Sequence, residues 1–324
     1  MNSIDVIIPC YNAAPFLEQC VASVLSQGIE SLRVVIIDNA STDGTIEIAR
    51  RLSAEDSRIN VILHEKNLGV HASFNEGIDV AAADYCMILC ADDLLAKEAL
   101  KRAATILDSH PDAVFALGSD LKLYNGDELV EPDPPSGWRI TEGTKFIEDC
   151  CRNSGFSLAL GFRLVRTSVQ KTVGHYRASL AYAPDLEVAL RLAARGAVIE
   201  FDCPLGIRRE HPMQLSATDF ADTRARLEGR MAAFDSFFSR QGRSLPQATK
   251  LHKVARLRIA EVAIRKAARG LLEGEPKSAA ALLAYGLRLS PAAMFLAPLG
   301  RDFRNMLVAP GYQLSDQTRI VDKH

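Results

Sequence analysis

The chain has 324 residues, 48% of them apolar, and a formal net charge of −2. That length suits one large domain with an appendage, or two domains, and the apolar content excludes global disorder. The near-neutral total hides an asymmetry: residues 225–324 hold 17 Lys and Arg against 8 Asp and Glu, a charge of +9, and the first 224 residues carry −11. A basic tail on an acidic body suits an anionic lipid surface or an acidic partner, or simply the solvated faces of helices. Seven scattered cysteines without a CxxC pair fit a reducing compartment rather than a disulfide framework or a zinc site. The first residues lack a signal peptide's basic and apolar regions. The most apolar stretch, Ala279 to Leu299, is interrupted by Arg288 and Pro291. The expectation is a cytoplasmic protein, soluble or peripheral at the inner face of the membrane.

In chain order, Asp5 to Pro9 reads as a short buried strand, followed by Phe16, Cys20, Val21, Val24 and Leu25 at helical spacing. Leu32 to Ile37 is a strand, Ile46 to Leu52 a helix, Asn60 to Leu63 a strand, His71 to Ala81 a helix and Tyr85 to Leu89 a strand. Repeated βαβ units at this spacing predict an α/β fold, with a mostly parallel sheet and helices on both faces. A helix over Ala96 to Ser109 and a strand over Val114 to Gly118 follow. Asn125-Gly126 reads as a hairpin turn. Gly161 to Val165 is a further strand, Leu186 to Arg195 a helix and Ala197 to Phe201 a strand. Beyond about Asp222 the pattern becomes helical, which places a domain boundary at 222/223: residues 1–222 as the α/β domain and 223–324 as a helical, basic C-terminal region.

Acidic residues follow the strands. Asp38 ends one, Cys90-Ala91-Asp92-Asp93 ends another, and Asp185 with Glu187 opens a helix. Ligand chemistry in open α/β sheets sits at such carboxyl ends. Asp38 can accept from a base N–H or a ribose hydroxyl, and Ser41 and Thr42 lie just before a helix start, where anions bind. Asp92 and Asp93 repel one another unless a hard divalent cation offsets them, or unless they cap a helix beginning near Leu94. Tyr11, at a strand exit, can stack on a flat base or merely cover the sheet edge.

Val6 to Asn12, Asp38 to Thr45, Asn67-Leu68-Gly69 with Asn75-Glu76-Gly77, Leu89 to Asp93, Thr172 to Tyr176 and Ala183 to Leu192 together resemble a family 2 glycosyltransferase over residues 3–217. The resemblance implies a GT-A-type, Rossmann-like sheet flanked by helices, with the helical extension appended. It implies that Pro9, Tyr11 and Asn12 line a nucleotide pocket, that Asp38 binds base or ribose, and that Lys66, Asn67 and Asn75 shape that site. By the same resemblance Asp92 binds Mn²⁺ or Mg²⁺ bridging the donor diphosphate. Asp93 contacts the sugar or supports the metal, Ala91 belongs to the same segment, Asp185 is the general base and His211 lies near the phosphates. The implied partners are a nucleotide-sugar donor, most naturally a UDP-sugar, and a glycan or lipid-linked acceptor, with no nucleic acid and with membrane or self-association through the basic helices.

Two positions depart from the family pattern. Cys90 stands where an Asp is common, and thiolate is a soft ligand poorly matched to Mg²⁺ or Mn²⁺, so metal binding would rest on Asp92 alone. Pro184 replaces the acidic residue before the base. No Gln-x-x-Arg-Trp motif occurs, which argues against a processive synthase. The implied reaction is inverting transfer from a nucleotide-diphosphate sugar to a hydroxyl, in surface polysaccharide or glycoconjugate synthesis. A catalytically weak sugar-nucleotide-binding scaffold is the competing reading, supported by Cys90. A nucleotidyltransferase would carry a Gly-rich basic loop after its first strand, where Pro9 to Ala14 has no basic residue.

Overall fold

The computed structural model describes residues 2–124, 127, 137–154, 160–180, 182–212, 214 and 223–296. Their backbone divides into two compact units at 259/260. The first unit is built on a nine-stranded sheet. β1 (Ile4–Cys10) lies between β2 (Leu32–Asp38) and β4 (Tyr85–Ile88), and β2 continues to β3 (Ile59–Leu63), all parallel. Beyond β4 the sheet turns mixed. β8 (Arg163–Arg166) is antiparallel to both β4 and β6 (Ala113–Tyr124), β6 runs parallel to β9 (Ala197–Glu210), and β5 (Leu94–Leu95) and β7 (Trp138–Thr141) pair antiparallel with β9. The expected α/β architecture is therefore present. Its parallel part is the βαβ series that the sequence displays, and its antiparallel pairings all lie beyond β4.

The β1 side chains divide by parity, as strand geometry requires. Ile4, Val6 and Ile8 enter a core shared with α1 (Leu17–Leu25), α2 (Thr45–Glu55) and α4 (Ala99–Ser109). Ile7 faces the other way, against α3 (Val70–Val80), where a Cβ on Gly77 would stand 2.4 Å from Ile7 Cγ2. α5 (Gly143–Arg152), α6 (Thr167–Val173) and α7 (Pro184–Ala193) complete the helices around the sheet. β1 is anchored at its start by Asp5, whose carboxylate takes Arg33 Nε at 2.8 Å, Arg33 Nη2 at 2.6 Å and the Ala82 and Ala83 N–H groups at 2.6 and 2.9 Å.

Three differences from the sequence reading have physical causes. The strand expected over 197–201 runs to Glu210, because its far half pairs with β5 and the outer part of β6. The helix expected from Ala96 begins at Ala99, and Leu94–Leu95 is a strand, so Asp92 and Asp93 cap no helix. The units divide by packing at 259/260, whereas composition changes near 222/223: α8 (Thr223–Ser239) buries Leu227, Met231, Phe234 and Phe237 and packs on α7 of the first unit. Asn125-Gly126 lies outside the described residues.

α9 (Ala248–Leu272) carries the unit boundary within it, and α10 (Pro276–Leu289) and α11 (Ala293–Leu296) follow. Within the second unit, Gly286 lies close against Ile264, Ala260 and Ala263. No helix among the described residues is long and apolar enough to cross a membrane.

Candidate active site

The carboxyl ends of β1 and β2 meet in register, Cys10 opposite Asp38. Asp38 is fully buried: Oδ1 accepts the Ser41 N–H at 2.9 Å and Oδ2 lies 3.7 Å from Cys10 Sγ. Burial, then the Asp38 charge, raises the Cys10 thiol well above its usual range, so it stays protonated. The two exit loops are tied together. Asn12, in the left-handed region at φ 51°, donates its N–H to Ser41 Oγ (2.9 Å) and accepts the Thr42 N–H on Oδ1 (2.8 Å). Ala13 N–H reaches Thr45 Oγ1 at 2.8 Å, and Asp43 takes the N–H groups of Ala14 and Thr45 at 3.0 and 3.1 Å. Asn39 links this pair to a third loop: its amide donates to Asn67 Oδ1 (2.9 Å), and its Oδ1 meets the Leu68 N–H (2.8 Å) and His64 Nδ1 (2.9 Å). Tyr11 is 51% exposed beside this frame, Pro9 is buried within it, and Lys66 is exposed on the third loop.

β4 delivers the second cluster. The Leu89 N–H still bonds Ile7 O at 2.9 Å, and a tight turn follows, Asp93 N–H to Cys90 O at 3.0 Å. Cys90 Sγ and one carboxylate oxygen each from Asp92 and Asp93 lie within 4.8 Å of one another. Burial and the neighbouring Asp92 charge push Asp93 well above the usual carboxylate range. Asp93 accepts the Arg209 N–H at 3.2 Å, and His211 Nε2 lies 3.2 Å from Asp92 Oδ2. His211 is 8% exposed, its ring centroid stands 4.5 Å from that of Phe16, and its Nδ1 is buried without a partner. Asp92 and Asp93 present hard oxygen donors from one turn, the ligand type a divalent cation takes, beside the Arg208 and Arg209 charges.

α7 opens with Pro184 at its first turn, which suits a position whose N–H has no helical partner, and presents Asp185 next. Asp185 Oδ1 accepts from Arg163 Nη1 at 3.1 Å and from the Tyr176 hydroxyl at 3.0 Å; Oδ2 accepts nothing among the described residues. Asn75 is spent on the same segment: its Oδ1 accepts the Tyr176 N–H (2.7 Å) and its Nδ2 donates to Tyr176 O (3.0 Å). Expected to shape the nucleotide site, Asn75 clamps the Tyr176 backbone in the structure. His71, at the start of α3, stacks with Tyr176 at 6.4 Å between centroids. Burial lowers its pKa, against the opposing charge of Asp185. A cavity of about 40 Å³ is lined by Cys90, Arg163, Tyr176 and Asp185 together with Phe74 and Ile88, so the β4 turn and the start of α7 face one space.

The fold thus gathers Pro9, Tyr11, Asn12, Asp38, Lys66 and Asn67 on the ends of β1 and β2 and the adjoining loops, and Ala91, Asp92, Asp93 and His211 around the β4 turn. Sequence reasoning missed Arg163, His71 and Arg209. None of the three belongs to a recognised motif, and the pairing of β4 with β8 and of β5 with β9 carries Arg163 and Arg209 toward the acidic groups. Met213, Leu215 and Ser216 of the segment after His211 lie outside the described residues.

The glycosyl transferase family 2 profile matches residues 5–174, more than half of the chain. The chain belongs to glycosyl transferase family 2. Among relatives of this family 2 chain, an uncharacterised Haemophilus influenzae glycosyltransferase is 34% identical over 139 residues, 40% of this chain and 56% of that protein. A Bacillus subtilis protein provisionally named as the teichuronic acid biosynthesis glycosyltransferase TuaG is 32% identical over 126 residues, 39% and 50% of the two chains. The matches span from 26% to 63% of the length of the curated relatives. Among solved structures, S. aureus TarS 1–349 in complex with UDP-GlcNAc aligns with a TM-score of 0.57 at 16% identity, covering 87% of this chain and 90% of that one. The mannosyltransferase PcManGT of Pyrobaculum calidifontis, in complex with GDP-Man and Mn²⁺, aligns with a TM-score of 0.58 at 19% identity, covering 95% and 83%. At these identities the structural likeness shows the fold, which is of the GT-A type.

Proposed function

We propose that this family 2 chain is a non-processive, inverting glycosyltransferase that moves a hexosyl group from a nucleoside-diphosphate sugar, a UDP-sugar by preference, to an acceptor hydroxyl. The observation that carries this reading is the shared cavity: Cys90, at the turn bearing Asp92 and Asp93, and Asp185, with an unengaged Oδ2, line the same space. The carboxylate proposed to take the acceptor proton thus shares a cavity with Cys90 of the turn that carries Asp92 and Asp93. In the proposed reaction the acceptor oxygen forms a bond to the anomeric carbon, the bond from that carbon to the diphosphate oxygen breaks, and the hydroxyl proton passes to Asp185 Oδ2. A divalent cation held by Asp92, with Asp93 beside it, would supply charge to the departing diphosphate. Asp38, Asn12 and the Asn39–Asn67 frame hold the nucleoside side, Tyr11 covers the base, and His211 and Lys66 lie toward the phosphates. The relative named for teichuronic acid biosynthesis and the neighbour holding UDP-GlcNAc support a UDP-sugar donor and a surface-glycan acceptor.

The test has two stages. Thermal-shift measurements with UDP-, GDP- and dTDP-sugars plus Mn²⁺ identify the donor, because a ligand at a hundredfold its Kd stabilises by about 2.7 kcal/mol. Transfer by Asp185→Asn is then compared with wild type. A loss of about 10²–10⁴-fold in kcat with unchanged donor binding is expected; near-wild-type transfer would remove Asp185 from the base role.

A further inference from the structure

We propose that Tyr176 is a positioning residue for this transfer, its phenol O–H holding one oxygen of Asp185 so that the other faces the acceptor. The inference rests on the reading of Asp185 as the general base. It is drawn from the direction of three hydrogen bonds. Arg163 Nη2 donates to the Tyr176 hydroxyl oxygen, and a guanidinium can only donate. The phenol oxygen therefore acts as acceptor toward Arg163, and its one proton is directed to Asp185 Oδ1 at 3.0 Å. Arg163 Nη1 donates to the same Oδ1 at 3.1 Å. Both donors converge on one carboxylate oxygen and fix the rotation of the group, leaving Oδ2 free among the described residues.

Tyr176 is suited to this by its own surroundings. Burial raises its phenol far above the usual range, so the O–H is retained. Its ring packs edge-on against Phe74, with centroids 5.0 Å apart. Its backbone is gripped at both polar groups by Asn75. The three residues before it are held by Arg191, which donates to the carbonyls of Val173, Gly174 and His175. The hydroxyl is thus fixed from α3 and α7 at once, and Asp185 is the group it addresses.

The test is Tyr176→Phe, which removes one oxygen and keeps the ring, measured in the full-length chain beside Asp185→Asn. The expected result is a fall in kcat of about 10- to 100-fold, the scale of a misplaced reacting group, with donor KM and the donor-induced thermal shift unchanged. A protein merely loosened by the change would lose donor binding along with rate. If Tyr176→Phe keeps kcat within twofold of wild type while Asp185→Asn is inactive, the positioning role is overturned and the base survives. If Asp185→Asn itself transfers normally, the base reading fails and carries this inference with it. Should Tyr176→Phe not fold, Asn75→Ala, which touches only the Tyr176 backbone, is read in the same way: lower kcat at constant donor KM supports the role, and unchanged kcat overturns it.

Discussion

Glu187 and Arg191 form a buried ion pair one helical turn apart on α7, Oε2 to Nε 2.9 Å, with Glu187 fully buried and Arg191 2% exposed. The pair is a joint rather than an isolated contact. Glu187 also takes Arg177, while the remaining Arg191 nitrogens hold the carbonyls of residues 173–175. Burial lowers the Arg191 pKa, and the Glu187 charge opposes that shift. The helix that presents Asp185 and the loop that presents Tyr176 are therefore fastened to one another through Glu187.

Removing Arg191 leaves the buried Glu187 with Arg177 as its remaining cation and frees the carbonyls of residues 173–175. Arg191→Leu is expected to destabilise the fold by about 3–5 kcal/mol, read as a lower urea midpoint. Arg139→Ala, which breaks an ion pair whose Arg side chain is 73% exposed, should change stability by less than about 1 kcal/mol. Equal losses in both variants would contradict the joint.

Acid sensitivity should report the β1 anchor. Burial alone would raise the Asp5 pKa, but Arg33 and the Ala83 and Ala82 N–H groups outweigh it and hold the carboxyl below its ordinary 3.8. A depressed carboxyl stabilises the fold fully above its unfolded pKa near 4, and that contribution disappears as pH falls further. Wild-type stability should therefore drop on acidification below about pH 4. Asp5→Asn should be less stable at neutral pH by about 2 kcal/mol and show a shallower decline below that point. A mutant with the wild-type acid slope would exclude Asp5 as a contributor.

Gly77 is required by packing. Its Cβ would meet Ile7 Cγ2 at 2.4 Å and Ile7 Cβ at 3.2 Å. Gly77→Ala should cost about 1–3 kcal/mol and lower Tm. The double variant Gly77→Ala with Ile7→Ala, which removes both γ carbons of the crowded side chain, should lose less stability than the two single changes added together.

Cys90 should set cation preference. Its sulfur stands with the Asp92 and Asp93 oxygens, and a hard cation gains little from it. Titration calorimetry in the presence of UDP should show Cys90→Asp binding Mg²⁺ more tightly than wild type by about tenfold, about 1.4 kcal/mol. Chelation should abolish the donor-induced thermal shift in both proteins. No change in Mg²⁺ affinity would place Cys90 outside the cation's reach.

Much of this was legible along the chain. Each short apolar run ending in an acid, Val35 to Asp38 and Met87 to Asp93, marks a parallel strand and its carboxyl-end chemistry, because strand period, burial and turn composition are all local. Asp185 could be read from its place at a helix start, and its role from the family resemblance. The partnerships could not. Asn75 sits in a nucleotide-like motif, yet its amide is committed to Tyr176, 101 residues away. Arg163 and Arg209 carry no motif, and only the folded sheet, with β8 beside β4 and β9 beside β5, sets them against Asp185 and Asp93. The sequence by itself determined the order of strands and helices and which carboxylates lie at strand ends, since those follow from neighbours within a few residues. Only the tertiary structure decided which oxygen of Asp185 stays open and which side chains hold it, because hydrogen-bond direction depends on groups that meet only after the sheet closes.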